Sequence, residues 1–214
     1  MKPDKYQLEA IKSNKNTLLI AGAGAGKTFT IVEKIKYLVN EKNIKPCEIL
    51  GISFTNKSVD DLKRKIDYEI DIMTFHKLAM SILDKKNIQY SLVSDNYLEY
   101  VTDEFFKGIE LEKKDEILKY FKEYDYDNFL ESYRFREFKK LIITLIKLYK
   151  TNNKTKDDIK KLLLKDNFLT KYAYIVKCVY ESELKSSRKY DFDDLIIKAT
   201  ESLDENLGYK YIII

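Results

Sequence analysis

Apolar residues in the first third of the chain switch between helical spacing and short unbroken runs. "PDKYQLEAIKS" carries Tyr6, Ala10 and Ile11 at helical spacing, with Pro3 suited to a first turn. "NTLLIAG" is a short apolar run of the kind that forms a buried parallel strand. Between Lys27 and Asn40, Ile31, Ile35, Leu38 and Val39 make one apolar stripe, and "CEILGISF" reads as a second buried strand. "TNKSVDDLKRKI" predicts a helix with Val59, Leu62 and Ile66 inward, capped by Thr55 or Asn56; another helix opens after Thr74 in "TFHKLAMSIL". Strands alternating with helices predict an α/β fold, a parallel sheet joined by crossover helices.

Around Asn87 the pattern changes. From about 95 to 186 the strand runs disappear, and amphipathic helices rich in Lys, Glu, Tyr and Phe follow one another. In "FREFKKLIITLIKLY" the residues Phe138, Leu141, Ile142, Leu145 and Leu148 are expected to share one inward face. "YDFDDLIIKATESL" then resumes the earlier style, and "YKYIII" has the β-branched and aromatic make-up of another sheet strand. The expected plan is an α/β domain over residues 1–90, an all-helical insertion over 91–186, and a return to the α/β domain over 187–214.

Composition narrows the class. The 214 residues are 44% hydrophobic and 35% charged, as in a soluble globular protein, and 6 Gly and 2 Pro leave no room for a flexible linker. No apolar run approaches a membrane span, the polar start "MKPDKYQLEA" is no signal peptide, and Cys47 and Cys178 suit a reducing compartment. The expected location is cytoplasmic, with no membrane partner. Of the net charge of +4, residues 1–90 hold 16 basic against 11 acidic residues, so the positive excess lies in the N-terminal part. That suits a phosphate-bearing partner, and equally suits ordinary surface lysines.

The sharpest chemical signal is "AGAGAGKT", Ala21 to Thr28, lying between an apolar run and a helix. Small residues (Ala21, Gly22, Ala23, Gly24, Ala25, Gly26) let the backbone wrap closely, so that N–H groups from Gly24 to Thr28 converge on an oxyanion. The helix adds its positive end, Lys27 a point charge for the β and γ phosphates, and Thr28 a hydroxyl for Mg²⁺. The usual pattern has glycine six places before the lysine; here Ala21 stands there, which is acceptable if its backbone is not left-handed. A dinucleotide fingerprint fails because Lys27 sits where its last glycine belongs. The residues therefore point to a nucleoside-triphosphate site with Mg²⁺.

Five short motifs in series, "YQLEAI", "AGAGAGKT", "GISFTNKSVDDLKRKI", "MTFHKLAMSIL" and "YDFDDLI", resemble superfamily 1 DNA helicases of the UvrD/Rep/PcrA type. The resemblance covers roughly residues 3–82 and 187–214; the helical middle is similar only in position and character to the insertion called domain 1B. It implies a RecA-like P-loop fold, ATP as the nucleotide and ATP-driven movement on single-stranded DNA, with junctions between single and double strands as partners. It implies that Gln7 senses adenine, and that Phe54, Thr55, Asn56 and Lys57, with Thr74, Phe75 and His76, lie along the DNA track. Read from the residues alone, Gln7 could be a plain helix glutamine, Phe54 a core residue and His76 a structural histidine.

Asp191, Asp193 and Asp194 could suggest a metal site, but Asp193 and Asp194 fit better as capping and solvated positions opening a helix. In the family the strand after "DFDDL" ends in Asp-Glu-x-Gln, which holds Mg²⁺ and polarises water. "YKYIII" resembles that strand cut just before the acids. The expectation is therefore an N-terminal fragment of a longer helicase, lacking the second RecA-like domain and hydrolysis-incompetent alone. Two other readings stay open: a different P-loop enzyme, such as a small-molecule kinase, and a non-catalytic adaptor that binds nucleotide or DNA.

Overall fold

The computed structural model describes residues 2–22, 24–152, 158, 161, 168–203 and 207–214. They form two compact units, one running to Ile88 and including Ile196–Ile214, the other Gln89–Leu195.

In the first unit, α1 (Lys5–Lys12) is opened by a capping box. The Asp4 carboxylate accepts the Gln7 N–H, and the Gln7 side chain accepts the Asp4 N–H. Then come α2 (Lys27–Asn40), β1 (Ile49–Ser53), α3 (Asn56–Lys65), β2 (Asp71–Thr74), α4 (Phe75–Lys85) and, near the C-terminus, β5 (Tyr211–Ile213). The sheet runs β2-β1-β5, all parallel, with Ser53 opposite Thr74 and Gly51 opposite Ile213. Strand β1 is apolar on both faces because it is central; Ile49 and Leu50 are fully buried. Val32, Ile35 and Leu38 of α2 and Val59 and Leu62 of α3 build a core with Ile49 and Ile72.

Two expectations are corrected here, and one strand goes unread. The run "NTLLIAG" is not a strand: Leu18 is 85% and Ile20 88% exposed, and a cleft of about 650 Å³ is lined on one side by Thr17–Leu19 and on the other by β5. An apolar run becomes a strand only beside a hydrogen-bonding neighbour, and the described sheet ends at β5. Tyr6 turns outward while Ile11 takes the buried position of α1. Strand β2 has no counterpart in the sequence reading, since four residues beginning with an exposed aspartate give too short a signal.

The second unit holds α5 (Tyr97–Gly108), α6 (Leu111–Phe121), α7 (Tyr126–Glu131), α8 (Tyr133–Thr151) and α9 (Phe168–Ser187). A two-residue parallel ladder also joins β3 (Ser91–Leu92) to β4 (Lys189–Tyr190). The start of α10 (Phe192–Glu201) belongs here too. Aromatic rings fill the core: Phe106 meets Phe135 edge-on at 5.3 Å and lies stacked with Tyr172 at 5.8 Å. Asp125 and Ser132 cap α7 and α8. The buried face of α8 is Phe138, Ile142, Ile146 and Tyr149, whereas Leu141 and Leu148 are each 51% exposed. Of the expected face Phe138 and Ile142 are buried and Leu145 packs against the core, but Leu141 and Leu148, with exposed Lys140 and Lys147 beside them, are left outside, and Ile146 and Tyr149 take the inward places.

Candidate functional site

The loop before α2 takes its shape from two glycines. Gly24 has φ 76° and Gly26 has φ 78°, both in the left-handed region that other residues enter only under strain. Gly26 is also the N-cap of α2 and offers no side chain to its first turn. The first-turn N–H groups of a helix lack carbonyl partners within it, so this end presents donors and a partial positive charge. A turn is closed by the Ala25 N–H on the Gly22 carbonyl (3.4 Å). Ala21 is not among the left-handed residues, so alanine in place of the usual glycine costs nothing there. Ala23 lies outside the described residues.

Lys27, exposed at the first helical position, folds back over this loop and donates to the carbonyls of Ala21 (2.9 Å) and Gly22 (3.0 Å). Thr28, half-buried, follows it in the first turn. Gln7 reaches the same loop from α1: its Nε2 donates to the Ala25 carbonyl at 3.1 Å. It is thus no plain surface glutamine. Its amide keeps a second N–H and a second lone pair for a base edge. The cradle fits a phosphate chain, and Thr28 is the hydroxyl that would stand beside a divalent cation carried on it.

A second group of sequence-singled residues gathers at the carboxyl ends of β1 and β2, the edge where parallel sheets usually hold ligands. Because Ser53 pairs with Thr74, Phe54–Lys57 and Phe75–His76 leave the sheet side by side. Phe54 is 90% exposed, so core packing does not explain it. Asn56 and Lys57 are exposed, Phe75 is 41% exposed, and His76 is half-buried. Thr55 and Thr74 are helix caps: Thr55 Oγ1 accepts the Ser58 N–H (3.1 Å), and Thr74 Oγ1 accepts the Lys77 N–H (3.3 Å). Their hydroxyls shape the edge more than they offer themselves to a ligand.

The acidic motif that opens α10 has a different environment from the one expected. Asp191, not Asp193 or Asp194, caps the helix, accepting the Asp194 N–H at 2.9 Å. Asp194 is half-buried rather than free in solvent: with Asp191 it pairs to Lys150, itself buried, at 2.8 Å for Asp194. The Tyr180 hydroxyl donates to Asp191 at 3.0 Å. Burial opposes the Asp191 charge, yet hydrogen bonds from Lys150, the Asp194 N–H and Tyr180 outweigh it and hold its carboxyl below the usual range. Burial likewise opposes the Lys150 charge, and its two carboxylates more than compensate, raising its pKa. Among the described residues no cluster of three His, Cys, Asp or Glu side chains could cage a metal, and no helix is long and apolar enough to cross a membrane. Lys150 was not singled out by sequence reasoning; a lysine buried between helices distant in sequence has no local signature.

The UvrD/REP helicase N-terminal domain family matches residues 4–211. The ATP-dependent DNA helicase PcrA of Staphylococcus epidermidis strain RP62A is 29% identical, over 95% of this chain and 27% of the relative. PcrA of Staphylococcus aureus strain NCTC 8325 is 28% identical with the same coverage. The chain thus spans about a quarter of the length of these curated relatives. A match over nearly the whole chain, on a parallel α/β unit with a glycine-shaped loop ahead of α2, settles its kinship: the chain belongs to the UvrD/REP helicase N-terminal domain family.

Proposed function

We propose that this chain is the nucleotide-binding N-terminal part of an ATP-dependent helicase that moves on single-stranded DNA. The observation that carries this reading is the loop: two left-handed glycines set the uncapped N-terminus of α2 beside Lys27. In this reading the triphosphate displaces the Lys27 ammonium from the Ala21 and Gly22 carbonyls and takes its charge. The backbone N–H groups of the loop receive the phosphate oxygens, and Gln7 reads the adenine edge. Mg²⁺, held by Thr28 and the nucleotide's own phosphates, supplies charge neutralisation. The helical stretch is the insertion of the RecA-like fold. Phe54, Asn56, Lys57 and Phe75 form part of a single-strand track, with His76 alongside and Thr55 and Thr74 holding its shape; an aromatic there stacks on bases for ~1–3 kcal/mol each.

Among the described residues lining the cleft onto which Lys27 opens there is no acidic side chain. In this reading the 214-residue chain binds nucleotide but turns it over slowly. Titration with a fluorescent ATP analogue in Mg²⁺, for the parent and Lys27→Ala, tests the reading: binding in the parent and at least tenfold weakening in the variant are expected. Equal affinity in the two would sink it.

A further inference from the structure

The helix that carries Gln7 is short. Eight residues do not hold a helix in water by themselves, so the position of α1 depends on what it touches. Two hydrogen-bonded anchors tie it to neighbouring structure. At its amino end Gln7 bonds the Ala25 carbonyl of the loop. At its carboxyl end Lys34, from α2, donates to the Ile11 carbonyl at 2.9 Å and to the Ser13 carbonyl. A cation on the last carbonyls of a helix also meets the negative end of its dipole.

We infer that Lys34 is a positioning residue for base recognition: it holds α1 so that Gln7 stands over the phosphate loop. This rests on the nucleotide reading proposed above. Lys34 lies seven residues after Lys27, two turns along the same side of α2, so one helix carries both the phosphate-side lysine and the anchor for the base-side helix. The Ser13 that Lys34 grips also organises the chain leading to the loop: its hydroxyl accepts the Lys15 N–H at 3.2 Å and the Thr17 hydroxyl at 2.7 Å. Burial lowers the pKa of Lys34, and the charge of Lys42 adds to this, so the ammonium sits there against a desolvation cost. Without Lys34 the turn set by Gly24 and Gly26 and the N-terminus of α2 keep their own geometry, while α1 loses its carboxyl-end anchor and Gln7 its fixed angle. Recognition of the base and of the phosphates is thereby separable.

The test uses the 214-residue chain, with ATP, GTP and inorganic tripolyphosphate competing against a fluorescent ATP analogue. Lys34→Met is expected to weaken ATP about tenfold and to reduce the ATP-over-GTP preference to that of Gln7→Ala. Tripolyphosphate affinity should stay within about twofold. Lys34→Arg, which keeps the two donated bonds, should retain the preference, and Gln7→Ala/Lys34→Met should be no worse than either single variant. Circular dichroism of each variant separates these effects from unfolding. Parallel loss of ATP and tripolyphosphate, or an unchanged base preference in Lys34→Met, would overturn the positioning role alone. Lys27→Ala with unchanged tripolyphosphate affinity would instead overturn the site on which it rests.

Discussion

Replacing Gly26 by alanine perturbs the loop in two ways that the structure separates. At φ 78° an L-residue meets a backbone cost of ~1–2 kcal/mol. A Cβ at this position would also lie 2.8 Å from Gln7 Nε2, so the glutamine must move and its bond to Ala25 is lost, a further ~1 kcal/mol. Alanine restricts the unfolded chain and returns ~0.4–1 kcal/mol, which leaves a net loss of about 2 kcal/mol. Urea unfolding followed by helical circular dichroism reads the stability, and nucleotide titration reads the site. Two comparisons isolate the causes. In a Gln7→Ala background the steric part disappears, and Gly26→Ala should cost about 1 kcal/mol less than in the parent. Gly22→Ala, whose Cβ would meet nothing within 4 Å and whose backbone is not left-handed, should be within about 0.5 kcal/mol of the parent. A Gly26→Ala protein as stable as the parent and equal to it in nucleotide affinity would refute the argument that left-handed glycines build this cradle.

Lys150→Met leaves two half-buried carboxylates without their buried cation and should cost ~3 kcal/mol at neutral pH, measured by the same unfolding. The sign of its pH dependence follows from the pairing. In the parent the depressed Asp191 contributes stability that is present above the unfolded carboxylate value and lost as pH falls through its folded one. Burial already holds Asp194 above the usual carboxylate range in the parent. In the variant, burial without the cation raises Asp191 as well and Asp194 further, so the deficit should shrink as pH drops from 7 towards 4; a deficit constant with pH would count against the ion cluster. Phe54→Ala removes an exposed ring, so stability should stay within about 0.5 kcal/mol while affinity for an oligothymidylate falls by ~1–3 kcal/mol. Fluorescence anisotropy would show this, and unchanged affinity in low salt would remove Phe54 from the track.

Legibility in the sequence followed how local the determinant was. Helices α3 and α4 were readable because each begins with a threonine whose hydroxyl caps it, followed by apolar residues at helical spacing. Strand β1 was readable because a central strand is apolar on both faces. The phosphate loop could be read because glycine, lysine and threonine at fixed spacing have few other uses. The run from Thr17 to Ala21 misled because apolar character specifies burial only when a neighbour exists. On α8 two overlapping apolar faces about a sixth of a turn apart compete, and the ring cluster around Phe106 decides between them. Asp194 had the look of a solvated helix opener; a lysine 44 positions away in sequence changes that. Lys34 bonds only to backbone carbonyls, which any sequence supplies.

The unpaired flank of β5 has a consequence for how this chain behaves in bulk. Among the described residues that strand has one hydrogen-bonded neighbour, β1, with Ile212 exposed on it and Ile214 just after it, and Leu18 and Ile20 exposed on the Thr17–Ala21 run. A row of free N–H and C=O groups bordered by aliphatic side chains is a template for an extended segment from any molecule that diffuses past. The isolated chain is therefore expected to associate through this short open ladder despite its net charge of +4. Edge-to-edge growth is the form its precipitation would take.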